Sequence, residues 1–285
     1  MPNVIINEKS VDDIWREIHG LTGQKPFRVW LSKTERTMRY AAVSVGTPPS
    51  VPTRIVFSGP PGCGKTTAAQ LAARMLHALG CIGSKIIGPV SVGELKLSYL
   101  LKSSGQFSEL LDSAEGGTLI IESSPVFDEH DHMRSEIMNS LLEVLSEERY
   151  ASTLVIFSEL PEQIDNFLEF SPSYRDLLTR IEFPPLSPED CAGMFAGFLA
   201  KQNCLIDEGG LERVKEIVQR EQDCKGDRFA NAFWVQRLAR CAIDNARQRV
   251  GEGGGTDIIV RFEDLGPEAF EESAAVSGLT LNWAP

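Results

Sequence analysis

The chain has 285 residues, with Asp+Glu 40 against Lys+Arg 28 and a formal net charge of −12. That length suits one large domain or two smaller ones, and the acidic balance argues against unspecific nucleic-acid binding while leaving room for a local basic groove. No apolar run approaches the roughly 20 residues of a membrane span, and the N-terminus lacks the apolar core of a signal peptide.

Residues 1–52 read as a helical segment leading into the core. Val11-Asp12-Asp13-Ile14-Trp15 and the stretch 27–38 carry apolar residues at near-helical spacing, with Gly20 and Gly23 between them. Gly46-Thr47-Pro48-Pro49-Ser50 then breaks the pattern. Residues 54–58 read as a short buried strand and 67–79 as an Ala/Leu-rich helix.

Between that strand and helix stands Gly59-Pro60-Pro61-Gly62-Cys63-Gly64-Lys65-Thr66-Thr67, which fits the phosphate-loop pattern G-x-x-x-x-G-K-[ST] without adjustment. Glycines let successive backbone N–H groups turn inward toward phosphate oxygens, and the helix that follows adds its positive N-terminal end. In this pattern Lys65 reaches the β- and γ-phosphates and the Thr66 hydroxyl ligates Mg²⁺. The alternative, a glycine-rich turn with an incidental Lys-Thr pair, does not explain a strand directly before and a helix directly after. The chain is expected to bind a nucleoside triphosphate.

Further along, 85–90 reads as a second strand, followed by helical stretches around 94–101 and 107–114. Gly116-Gly117 releases the chain into Thr118-Leu119-Ile120-Ile121-Glu122, a buried strand ending in an acid. Glu129-His130-Asp131-His132 is a dense set of metal-ligand types, but with no distant partner evident it reads as a polar loop before a helix. Residues 132–148 form an amphipathic pattern, 153–157 another buried strand, and Pro161 opens the next helix at a favoured first position. The last short strand of this half is Ile181-Glu182-Phe183. Strands alternating with helices predict a parallel, three-layered α/β domain over 53–184.

Past Pro184-Pro185 the pattern changes: 188–202, 208–222 and 228–250 read as helices without intervening strands. Gly251-Glu252-Gly253-Gly254-Gly255 reads as a flexible loop, 257–262 as a short strand and 263–270 as a final helical turn. A C-terminal helical lid is thus expected over 185–272, with a loosely ordered tail at 273–285. Cys63, Cys81, Cys191, Cys204, Cys224 and Cys241 lack C-x-x-C spacing, so neither zinc nor a disulfide framework is indicated. Reduced thiols in an intracellular compartment, cytoplasmic or otherwise reducing, are the simpler reading.

The order of these elements and several motifs resemble the AAA+ ATPases, in the branch of the red-type rubisco activase CbbX and the stage V sporulation protein K. The resemblance covers about residues 10 to 270. It rests on Val56 through Thr67, Val92-Gly93-Glu94, Gly116 through Ile121, Pro161 through Leu168, Ile181-Glu182-Phe183-Pro184 with Ser187-Pro188-Glu189, and Arg228-Phe229-Ala230-Asn231-Ala232. The family implies a five-stranded αβα core, a helical lid, ATP with Mg²⁺, and a ring that is usually hexameric. Carried onto this chain, that places nucleotide binding at 59–67 and Asn231, and the metal at Thr66 and Glu122.

Departures from the family pattern concentrate on hydrolysis. Where the branch ends its strand Asp-Glu, for metal and catalytic base, this chain has Glu122 and Ser123. Glu122 keeps a carboxylate, one methylene longer, whereas Ser123 has no group able to take a proton at neutral pH. Loss of a positioned base commonly costs about 10²–10⁴ in rate. The pore-loop aromatic is replaced by Leu95, with Tyr99 out of register. Of the paired arginines that supply a finger to the neighbouring subunit, Arg175 remains and Leu177 takes the second place, leaving Arg180 as a stand-in. The sensor arginine of the lid is Phe233, with Arg228 and Arg237 nearby but out of place. Glu159 stands where the branch has small polar residues, and an acid there would repel phosphate.

These substitutions beside an intact phosphate loop imply ATP binding with weak or absent turnover, in a structural or regulatory subunit of a homo- or hetero-oligomeric AAA+ ring. The alternative is an active ATPase that remodels an as yet unidentified protein client. A small-molecule P-loop kinase fits less well, because such kinases carry their arginine-bearing lid within the core.

Overall fold

The structure, a computed structural model, describes residues 6–43, 51–91, 95, 104–122, 132–251 and 258–265. By its contacts the chain divides into two compact units, Met1–Gly59 with Gly64–Pro184, and Pro60–Cys63 with Pro185–Pro285.

The first unit opens with two helices, Glu8–His19 (α1) and Lys25–Val43 (α2). Asn7 caps α1 by accepting from Ser10 N at 3.2 Å. Then come Arg54–Ser58 (β1), Lys65–Ala78 (α3), Ile86–Ser91 (β2), Ser104–Ser113 (α4), Thr118–Glu122 (β3), His132–Val144 (α5), Leu154–Glu159 (β4), Pro161–Phe170 (α6) and Thr179–Glu182 (β5). All five strands run parallel in the order β2-β3-β4-β1-β5. Parallel neighbours require a crossover, which the intervening helices supply.

β1 and β4 are buried at every residue, which is why they read as unbroken apolar runs and not as alternation. On one face Val56, Leu119, Ile121, Val155 and Phe157 pack with Leu111, Ile137, Leu141, Ile164 and Phe167 from α4, α5 and α6. The opposite face meets α3, whose Ala68, Ala69, Leu71, Ala72, Met75 and Leu76 are buried. Beyond it Phe27 of α2 joins Phe57 and Phe183 in an aromatic cluster, with ring centroids 4.8 to 5.9 Å apart.

In the second unit Pro188–Lys201 (α7), Glu208–Lys225 (α8) and Asn231–Val250 (α9) enclose a core that includes Phe195, Leu199, Val214, Phe229 and Leu238. Ser187 and Asp190 form a reciprocal capping box at the start of α7, with Pro188 in the first turn. Asp264 is buried and accepts from the Arg249 guanidinium at 2.8 and 3.0 Å, which ties the short 3₁₀ turn Phe262–Leu265 to α9.

Several boundaries differ from the sequence reading. The C-terminal helices do have strands among them: Cys204–Ile206 (β6) lies between α7 and α8 and pairs in parallel with Ile258–Val260 (β7). Three residues carry too little periodicity to declare a strand. α5 ends at Val144, not 148, and a 3₁₀ turn occupies Glu148–Tyr150. β5 begins at Thr179 and stops at Glu182, one residue short of the expected strand's end. The helix expected over 94–101 lies outside the described residues except for Leu95, and so do the ligand-rich stretch Glu129 to Asp131 and the tail from 273. Among the described residues no helix is long and apolar enough to cross a membrane.

Candidate functional site

The phosphate-loop sequence leaves the C-terminal end of β1 and enters α3 at Lys65. In open parallel sheets this is where ligands are held, because strand ends and helix N-termini converge there. Gly59 N donates to Glu159 O at 3.1 Å, and a Cβ on Gly59 would stand 2.2 Å from Phe183 O. Only glycine permits that approach to the adjacent strand's end. Gly62 and Gly64 have φ of 71° and 91°, in the left-handed region that side chains disfavour. Gly64 is the N-cap of α3, so the first turn of that helix, Lys65, Thr66 and Thr67, follows the turn directly. The Lys65 ammonium donates to Gly59 O at 2.6 Å, folding along the loop it belongs to.

Thr66 and Glu122 come together. The Thr66 hydroxyl donates to Glu122 Oε1, so the two residues expected to serve one cation do share a position. Glu122 ends β3 and is partly buried, and its carboxylate reaches across from one strand to the first turn of α3. A hydroxyl and a carboxylate oxygen side by side are hard donors, the set that Mg²⁺ takes. Ser123 lies outside the described residues.

The remaining predicted residues are dispersed. Arg175 is exposed just past a 3₁₀ turn, with its N–H donating to Pro172 O at 3.1 Å, and Leu177 beside it is 46% exposed. Arg180, the stand-in, lies on β5 in an ion pair with Asp165 of α6 at 2.5 Å. Leu95 is buried in the cluster between the sheet and α4 to α6, a core residue and not a gripping one. Glu159 is buried at the end of β4. By strand alternation it shares the face of Phe157, whereas Glu122, paired in register with Ser158, lies on the opposite face.

In the second unit Asn231 is not free to face a ligand. It is fully buried, and its side chain makes three hydrogen bonds: Nδ2 to Pro61 O at 3.0 Å and to Phe229 O at 2.8 Å, and Oδ1 from Leu186 N at 2.9 Å. Phe233, at the sensor position, is 66% exposed, and Arg228 and Arg237 are exposed also. Sequence reasoning placed Asn231 among ligand contacts through resemblance alone. Its attachment to the loop left no local signal, because Pro61 lies 170 positions away.

Residues 55–174 match the family described as ATPases associated with various cellular activities (AAA). The chain is 29% identical over 197 residues to a CfxQ homolog of Pyropia yezoensis, covering 68% of this chain and 63% of that protein. It is 28% identical over 248 residues to the protein CbbX of Cereibacter sphaeroides, covering 84% and 76%. This chain thus spans less than two thirds of the length of the first of these. Among solved structures it is similar to the AAA domain of FIGL-1 in complex with ADP, with a TM-score of 0.61 at 17% identity over 90% of this chain and 82% of that one.

Proposed function

Residues 55–174 form an AAA-family ATPase domain in a chain of CbbX type, and from that premise we propose that it binds ATP with Mg²⁺ and hydrolyses it slowly or not at all, as a subunit of an AAA+ ring. The observation that carries the binding is the contact of Thr66 with Glu122 beside Lys65 at the first turn of α3. It gathers a phosphate cation, a metal hydroxyl and a metal carboxylate on elements that the sheet fixes. The FIGL-1 AAA domain, solved with ADP, supports nucleotide binding by the same fold.

Each residue has a separable part. The backbone N–H groups of Gly62 through Thr66 cradle phosphate oxygens and the N-terminus of α3 adds its dipole. Lys65 supplies positive charge to the β- and γ-phosphates, in exchange for its bond to Gly59 O. Thr66 and Glu122 would hold Mg²⁺, which when bound neutralises phosphate charge. What the chain lacks at the matching places is a base and an arginine. Ser123 offers no low-pKa group, Phe233 offers no charge, and Arg180 is committed to Asp165.

A ring role follows from the same substitutions. Arg175 is exposed and bears a charge that a neighbour's γ-phosphate would attract, but Leu177 removes its twin. A homomeric ring would be weakened at every seam, whereas a mixed ring takes its second arginine from an intact partner. ATP would favour assembly by binding the assembled state better, whether or not it is cleaved.

The test is ATP binding by calorimetry and hydrolysis on one sample, with and without an active AAA+ paralogue. Tight binding with negligible turnover, and association that needs both ATP and the paralogue, are expected. Lys65→Ala should remove binding by a factor of about 100 or more while leaving the fold intact. Robust hydrolysis by the chain alone, absent in Lys65→Ala, would establish the active remodelling ATPase instead.

A further inference from the structure

We propose that Asn231 is the positioning residue of the phosphate loop, a clamp that aims the N–H groups of Gly62 and Cys63 by holding the carbonyls in front of them. The proposal rests on the reading of 59–67 as the phosphate site. Its observations all lie within the second unit, to which Pro60–Cys63 belongs by contact.

Two consecutive loop carbonyls are held from one helix start. Asn231 Nδ2 donates to Pro61 O at 3.0 Å and Ala232 N donates to Gly62 O at 3.2 Å. The orientation of the Asn231 amide is fixed by its surroundings. Two carbonyls, Pro61 and Phe229, need its NH₂, and Leu186 N needs its oxygen. The approach is close: a Cβ on Gly62 would lie 2.2 Å from Ala230 O. Glycine at position 62 therefore serves contact with the lid as well as the turn.

The consequence follows from peptide geometry. The Pro61–Gly62 and Gly62–Cys63 bonds are trans, so in each unit the carbonyl and the following N–H point in opposite directions. Pinning both oxygens toward α9 turns the N–H groups of Gly62 and Cys63 away from it. Convergent N–H groups bind an anion, whereas a flipped peptide would turn a carbonyl oxygen toward it. The clamp thus sets the sign of the cradle before any phosphate arrives.

Asn231 also sits at φ 43°, which asparagine tolerates better than other residues with a Cβ. With its polar atoms engaged and no exposed surface, it acts through the loop and not on the nucleotide. Linkage makes the effect reciprocal: an anion that favours the clamped loop also favours the clamped start of α9.

Two variants separate positioning from folding. Asn231→Asp keeps size and backbone preference but sets a carboxylate against two carbonyls, and Asn231→Gly keeps the backbone without a side chain. The probes are Mg·ATP and inorganic tripolyphosphate, titrated by calorimetry at a temperature where thermal unfolding shows each variant folded. About a tenfold or greater loss is expected, by the same factor for both probes, since tripolyphosphate has no base or sugar. In the unaltered chain tripolyphosphate should slow amide exchange across 229–235, and in Lys65→Ala it should not. That measurement decides the matter if neither variant folds. Folded variants that bind both probes within twofold of the parent overturn the clamp alone, as does exchange at 229–235 unmoved by saturating tripolyphosphate. A parent chain that binds neither probe, or no better than Lys65→Ala, overturns the clamp together with the phosphate site beneath it.

Discussion

The Thr66 hydroxyl donates to Glu122 Oε1, joining the first turn of α3 to the end of β3. The family has a shorter acid at this place, and the extra methylene of glutamate still brings its carboxylate to the threonine. A neutral amide would keep an acceptor for Thr66 but lose the charge that a divalent cation requires. Glu122→Gln is therefore expected to fold normally and to weaken the Mg²⁺ dependence of ATP affinity about tenfold, read by titrating Mg²⁺ at fixed ATP. An unchanged Mg²⁺ dependence would remove Glu122 from the metal site.

Restoring the missing base tests the reading of turnover. Glu122→Asp with Ser123→Glu recreates the acid pair of the family, and a positioned base is worth about 10²–10⁴ in rate. An increase of at least tenfold in steady-state phosphate release, in the presence of an arginine-bearing paralogue, is expected. If the double variant stays at the parent's rate, the defect lies in the lid arginine missing at position 233, where Phe233 stands, and not in the base.

Much of the first unit was legible because its central strands, β1, β3 and β4, are buried on both faces. Unbroken apolar runs such as Ile55-Val56-Phe57 and Leu119-Ile120-Ile121 state their burial in composition alone, and the five-stranded parallel sheet followed. β6 was not legible: at three residues, with Leu205 57% exposed, its pairing with β7 depends on a partner more than fifty positions away. The site divides in the same manner. The loop 59–67 is contiguous and announces itself, whereas the bonds of Asn231 to Pro61 and Leu186 join distant segments that no local pattern connects. Leu95 was read by what it lacks, an aromatic ring, and its burial among core residues supplies the reason an apolar residue stands there.

Arg54 makes a prediction about stability. Its guanidinium is buried, with no carboxylate paired to it among the described residues, and donates to the carbonyls of Thr53, Leu145, Tyr150 and Thr153 at 2.6 to 3.1 Å. Burial pushes its pKa down from the usual arginine range, yet four carbonyl acceptors compensate the charge. It gathers the chain after α5 against the start of β1. Arg54→Met keeps much of the volume but takes the guanidinium from all four carbonyls. Among the described residues only Thr53 O and Tyr150 O keep a backbone donor, Val155 N and Thr153 N, so a loss of about 3 kcal/mol is expected from urea denaturation. A loss under about 1 kcal/mol would show that water or a shifted backbone replaces the guanidinium.

The attachment of α1 should respond to acid. Glu17 accepts from Arg74 of α3 at 2.6 and 2.7 Å, and Glu8 accepts from Arg39 of α2 at 2.7 Å on both oxygens. In each case the arginine hydrogen bond, the largest cause, holds the carboxyl below its usual 4.5. A carboxylate depressed in the folded state binds fewer protons there than in the unfolded state. Its contribution is therefore present above about pH 4.5 and lost as pH falls through the depressed value. Both pairs are largely exposed, so salt screens them and their effect is local. Amide exchange across 8–19 is expected to quicken, beyond its intrinsic pH dependence, between pH 4.5 and 3, and to do so less in 0.5 M salt. Arg74→Gln returns Glu17 toward its ordinary range, so that variant should begin less protected at pH 6 and change less across the acid window. An identical acid response in parent and variant would show that the Glu17–Arg74 contact does not hold α1 in place.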